Sequence, residues 1–229
     1  MSTTFWAAQS ARVLKVGQKT FGEVTSYQRP GYPAFSIVGV PEYLPRLEDV
    51  NRGEFFSVTY ILDDFANAPF SASVLVSFSG APNDGGTIII DGVTYVDKLN
   101  ITDAIPNQFY RGTIGSQAAA NLAAAINATG AGAGIQYTSA TVPHPTCSAD
   151  YTPGSAQLRI QSKTAGIAGN SIAIVDSMSF LTLDSRFMYG GGPMINDLIT
   201  MGSVLYRVSY DPAIMPGNGI QLRLERKAL

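Results

Sequence analysis

The chain has one histidine and one cysteine, His144 and Cys147, three residues apart in the stretch PHPTCSADYTPGSA. A thiol beside an imidazole can act as a nucleophile with its base, and both groups bind zinc. A zinc site needs about four ligands, which one His and one Cys cannot supply from a single chain. A symmetric ring that brought several copies of His144 to one axis could surround an ion. A reactive cysteine needs a lowered pKa, from a helix start or a neighbouring cation. The proline-rich surroundings predict neither, so the sequence places both residues in a surface loop.

The acids are the second source of chemistry. Asp63 and Asp64 are adjacent, and Asp84, Asp91 and Asp97 follow. A calcium loop needs alternating oxygen ligands and a distant Glu, and that spacing is missing. A glycosidase pair can come from anywhere in a chain. Sugar sites are commonly lined by aromatics, however, and the only tryptophan is Trp6. Asp63 and Asp64 read as the polar end of a strand. No catalytic, cofactor-binding or metal-ligating residue is assigned, and no cofactor.

The elements that would position these groups are mostly strands. Of 229 residues, 45% are hydrophobic and 14% charged, against about 25% charged in an average protein. So few solvated side chains predict a surface partly covered by copies of the chain or by partners. The net charge is −2, and Arg223, Arg226 and Lys227 are the only basic cluster. Nucleic acid needs a positive stripe, so direct DNA or RNA binding is not expected. No stretch approaches the 18 apolar residues of a membrane span, and the first residues lack the basic start and apolar run of a signal peptide. A lone cysteine implies no disulfide framework.

Residues 1–53 carry YQRPGYPAFSIVGVPEYLP, with Tyr27, Tyr32, Phe35 and Tyr43 among four prolines. Proline resists both helix and central strand, so this segment reads as an extended N-terminal arm. Two placements are open: a loop capping the chain's own sheet, or an arm lying on a neighbouring subunit. Residues 54–229 read as one β-rich domain. Strands are predicted at 54–62, 71–80, 134–142, 157–163, 171–177, 203–210 and 219–226. The last two could pair as a closing hairpin. TIIIDGVTYV (87–96) is a hairpin on Asp91-Gly92, the dipeptide suited to a type I′ turn.

GSQAAANLAAAINATGAGAG (115–134) is the one helix signal. Ser116 is a suitable N-cap. Ala119, Leu122, Ala123 and Ile126 recur on one face, and Gly130 is a natural stop. A phosphate cradle needs its glycines before the helix. Here they follow it. The fold class is mainly β (α+β): a β-sandwich or open barrel with one short Ala-rich helix and an extended N-terminal arm.

In order, these pieces resemble a module of tailed-bacteriophage virion structural proteins. The markers are the helix segment AAANLAAAIN, the KTAGIAGN turn from Lys163 to Asn170, and a later YGGG; the match spans about residues 85–192. Gly166 and Gly169 are expected to supply positive φ in that turn. The resemblance implies a non-enzymatic structural subunit of the virion, made in the host cytoplasm and associated with the tail. It would act by symmetric self-assembly and by contacts to other virion proteins, with no nucleic acid and no membrane bound. Three other functions stay open: a capsid decoration or cement protein, a carbohydrate-binding part of a tail fibre or spike, and a wall-degrading hydrolase that would need a carboxylate cleft.

Overall fold

The computed structural model describes residues 22–42, 55–210, 212–215 and 219–226. Among the described residues the expected β-rich fold with a single α-helix is observed, but the chain forms two compact units rather than one domain after an arm. One unit takes residues up to Phe70 and from Gly192 onward. The other, 71–191, is inserted between them.

The first unit is a closed six-stranded barrel. Its strands are β1 (Glu23–Gln28), β2 (Phe35–Glu42), β3 (Phe55–Ile61), β12 (Leu198–Met201), β13 (Val204–Val208) and β15 (Gly219–Arg226). The order is β13-β12-β1-β2-β3-β15, and β15 returns to β13 through Tyr206↔Arg226 and Val208↔Leu224. A short β14 (Ala213–Met215) pairs with the start of β15. The expected pairing of the last two long strands is therefore the seam of the barrel. Closure removes free sheet edges. The interior is aromatic: Tyr27, Tyr60, Phe65 and Phe70 are fully buried with Val58, Leu222 and Leu224.

The arm reading fails for residues 22–42, which are two barrel strands. Pro30 and Pro33 lie in the turn between β1 and β2, and Pro41 pairs with Val58 near the end of β2. Proline punctuates the strands here and does not abolish them. The rest of the arm, 1–21 and 43–53, lies outside the described residues, as does Trp6.

The inserted unit has two four-stranded sheets. One has the order β10-β5-β6-β7 and the other β11-β4-β9-β8. Their members are β4 (Ser71–Phe78), β5 (Thr87–Ile90), β6 (Val93–Lys98), β7 (Gln108–Tyr110), β8 (Cys147–Tyr151), β9 (Gln157–Ala165), β10 (Ile174–Asp176) and β11 (Leu181–Leu183). Helix α1 (Gly115–Asn127) packs into a core shared with both sheets. Ala119, Leu122, Ala123 and Ile126 all face it, beside Val74, Val76, Ile88, Ile90 and Ile160. The β5–β6 turn has φ of 45° at Asp91 and 80° at Gly92, both positive as a type I′ hairpin requires.

Four local expectations are corrected. The N-cap is Ile114, without a side-chain bond, and Ser116 lies inside the helix. Gln117 instead reaches back to the Thr113 N–H (2.8 Å) and hydroxyl (3.0 Å). The helix stops at Ala128, in the left-handed region, before Gly130 is reached. Residues 134–142 form no strand, only isolated bridges from Tyr137 to Phe109 and to Ala133. The supposed loop at 143–156 contains strand β8.

Candidate functional site

His144 and Cys147 are both buried, at 1% and 0% exposure, so the surface-loop reading is wrong. The imidazole Nε2 bonds the Ile90 carbonyl at 2.9 Å. Its Nδ1 accepts the backbone N–H groups of Thr146 (3.2 Å) and Cys147 (3.1 Å). Two donors on Nδ1 and one acceptor at Nε2 define a neutral ring with its proton on Nε2. No lone pair is left for the thiol. Burial raises the Cys147 pKa, against a smaller lowering by the Thr146 hydroxyl. A reactive cysteine needs the opposite shift. A ring of His144 copies around an ion is equally ruled out by burial within the chain's own core.

The acids scatter. Asp64 is exposed in the 3-10 segment Leu62–Asn67 after β3, and the side chain of Asp63 lies outside the described set. Asp84 accepts the Leu99 N–H at 2.6 Å. Asp91 accepts the Thr146 hydroxyl at 2.6 Å. Asp97 is wholly buried, and neither carboxylate oxygen has a hydrogen-bond partner. Among the described residues no group of three or more His, Cys, Asp or Glu could hold a metal ion. Arg223 and Arg226 lie exposed on β15, as the end of a strand.

What converges instead is a set of backbone clamps. In the KTAGIAGN turn, Lys163 donates its ammonium to the His144 carbonyl (2.5 Å), tying β9 to the corner before β8. Gly166 has φ of 83°. Gly169 needs no positive φ; a Cβ there would lie 2.7 Å from Ser162 Cβ and 2.9 Å from Ala72 Cβ. Its smallness serves close packing. Asn170 accepts the Gly191 N–H at 2.9 Å, and a Cβ on Gly191 would fall 2.2 Å from the Gly166 carbonyl oxygen. The turn and the YGGG stretch are therefore two halves of one contact.

The asparagines of AAANLAAAIN act the same way. Asn121 donates to the Tyr110 carbonyl at 2.7 Å. Asn127 pairs with both backbone groups of Ala149, donating to its carbonyl (2.7 Å) and accepting its N–H (2.9 Å). An amide side chain thus replaces a neighbouring strand along β8. Asparagine is a poor residue inside a helix, and two of them in an alanine run were the available signal.

These clamps decide which sheet edges stay open. On β8, the Cys147 N–H is taken by His144 and both outward groups of Ala149 by Asn127. Beyond β7, Tyr110 N–H and Gln108 carbonyl bond residues 136 and 138, each within 3.0 Å. Beyond β10, Ile172 and Ile174 bond Met188 and Arg186. β11 differs. Its bonds to β4 involve Phe180 and Asp184 with Thr182 opposite Ser77. By antiparallel alternation the backbones of Leu181 and Leu183 face away, and they have no partner among the described residues. Phe180, just before β11, is 54% exposed and sits at φ 61°, a strained conformation for a bulky residue.

In the barrel, Asp197 organises a buried cluster that the sequence did not reveal. Arg29 grips it twice, Nε to Oδ1 at 3.0 Å and NH2 to Oδ2 at 2.9 Å. The Tyr27 hydroxyl (2.5 Å) and Met194 N–H (2.9 Å) complete it. Burial first, and the Asp197 charge second, raise the Tyr27 pKa, so the phenol stays a donor. Arg29 also donates to the Gly192 carbonyl at 2.6 Å and lies 3.7 Å over the Phe70 ring. No helix among the described residues is long and apolar enough to cross a membrane.

No protein-family model matches the chain, and no curated protein matches it.

Proposed function

We propose that the chain is a non-enzymatic structural subunit of a bacteriophage virion, in or around the tail. It acts by symmetric self-assembly and by contacts to neighbouring virion proteins. The markers of the resemblance support this reading. Lys163, Gly166, Gly169 and Asn170 all make framework contacts, as do Gly191, Asn121 and Asn127, and none is a group aimed at a substrate.

The single observation that carries the assembly is the open edge of β11. Unpaired strand edges are templates for another strand. Phe180-Leu181-Thr182-Leu183 has no charge and no proline to block one. A twofold axis through Thr182 would set Leu181 opposite Leu183 of a second copy, and the reverse. Their outward N–H and carbonyl groups would exchange four hydrogen bonds, with Asp184 opposite Phe180 and no like charges facing.

The mass in solution by light scattering, with negative-stain images of the same sample, tests the reading. A twofold pairing of this one edge closes as a dimer, so a dimer is the smallest defined oligomer expected, with rings or tubes only if a second contact joins dimers, and Thr182→Lys should return the protein to monomer. The Thr182 side chain is exposed, so that variant should melt within about 0.5 kcal/mol of the parent. A monomer at every concentration overturns self-assembly through this edge. Sugar binding quenched at the exposed Phe180, Phe187 and Tyr189 would favour the fibre or spike reading instead.

A further inference from the structure

We infer that the Asp97 carboxyl is a proton-binding switch, coupling the packing of the 82–86 turn against the end of β6 to the ambient pH. Asp97 points from β6 to the same side as buried Tyr95, opposite Phe109 of β7. It is fully buried, and both carboxylate oxygens lack a partner. A buried carboxylate that no well-aligned donor reaches is costly, and it becomes tolerable by taking up a proton.

The turn that covers it is drawn tight. Gly85 N–H donates to the Asp97 carbonyl (2.9 Å), and Asp97 N–H to the Gly86 carbonyl (3.0 Å). A Cβ on Gly86 would lie 3.0 Å from Asp97 Oδ1 and equally close to Met178 Cα and Cγ. That glycine therefore lets the chain close directly over the carboxyl.

The charges around it are few. Asp84, in the turn itself, is anionic and opposes ionisation. Lys98 follows Asp97, and its ammonium reaches toward Gly85, 3.9 Å from where a Cβ would stand. Arg111, just past β7, spends NH1 on the Pro82 carbonyl at 3.0 Å, and its buried Nε has no partner. It makes no ion pair with Asp97 within 4.0 Å. Ser177, Met178 and Ser179, packed from the other side, bring no charge. Burial, then Asp84, pushes the Asp97 pKa up from 3.8 to about 6, against a smaller lowering by the backbone N–H groups of Asp97 itself and Gly86 and, least of all, by Arg111.

The direction of the effect follows from proton linkage. A carboxyl with a raised folded pKa binds more protons folded than unfolded between about pH 4 and 6. Its contribution is therefore most favourable at and below pH 4, and it is lost as the pH rises through about 6. Ionised, Asp97 must find water or Arg111, and the 82–86 turn is what stands in the way.

The test is a pair of measurements on the full chain. The first is a carboxyl 13C titration of Asp97 by NMR, with a midpoint expected near 6. The second is the melting temperature of wild type and Asp97→Asn from pH 4.5 to 8. Asp97→Asn should melt several degrees above wild type at pH 7.5, and the gap should close by pH 4.5. A midpoint near 4, or a gap that does not change with pH, overturns the switch. So does a gap that 5 mM calcium or magnesium closes at pH 7.5, because the oxygens would then hold a cation and not a proton.

Discussion

In the barrel, β13 meets β15 and the hydrogen-bonding row closes on itself. In the inserted unit, two sheets end in four edges, and the chain deals with each separately. Backbone from 136–138 covers β7, residues 186–188 cover the start of β10, and side chains of His144 and Asn127 cover β8. β11 is left open. Topological closure needs no particular side chain at the seam. Capping by side chains makes single residues decisive, and it lets one edge be left free while the others are blocked. The two units should therefore respond very differently to point substitution.

The harshest way to break the contrast is Leu122→Asp, which puts a charge against the core of the inserted unit. A loss above about 4 kcal/mol is expected. Amide exchange should show 71–191 unprotected while β1–β3 and β12–β15 stay protected. Unchanged thermal stability would sink the packing assigned to α1. Next is Asp197→Ala, which strands the Arg29 guanidinium, the Tyr27 hydroxyl and the Met194 N–H together. It should cost the barrel about 3–5 kcal/mol and leave exchange in 71–191 untouched. A uniform loss of protection would mean that the units do not respond separately.

The mildest change sharpens the contrast most. Asn127→Ala should cost about 1–3 kcal/mol, because both Ala149 backbone groups lose their partner. It should also free the edge of β8, so the variant should self-associate more than wild type at equal concentration in sedimentation runs. A variant that is less stable but no stickier would show that Asn127 is only a helix anchor.

Legibility in the sequence followed distance along the chain. The Asp91-Gly92 hairpin and the Ala119, Leu122, Ala123, Ile126 face depend on neighbours a few residues away, and both were readable. The barrel was not. β1 pairs with β12 and β3 with β15 across the whole insertion, and prolines 30, 33 and 41 masked two of its strands. β8, CSADY, lacks the branched residues that mark strands, because β9, His144 and Asn127 hold it in place from outside. His144 illustrates the limit for the site: composition named it as chemistry, while three bonds to backbone make it a corner brace. Arg29 and Asp197 left no trace because they meet across 168 positions of sequence.

The insertion also sets a timetable. On a ribosome, β1, β2 and β3 emerge before residues 71–191, and their partners β12, β13 and β15 only afterwards. At about 5–20 residues per second, the first three strands wait on the order of ten seconds for the rest of their barrel. During that interval they are a short sheet with exposed edges and half a core, whereas the 71–191 segment has all of its strands as soon as its own last residue has emerged. The region that ends as the fully closed one is thus the region that spends longest unfinished during synthesis.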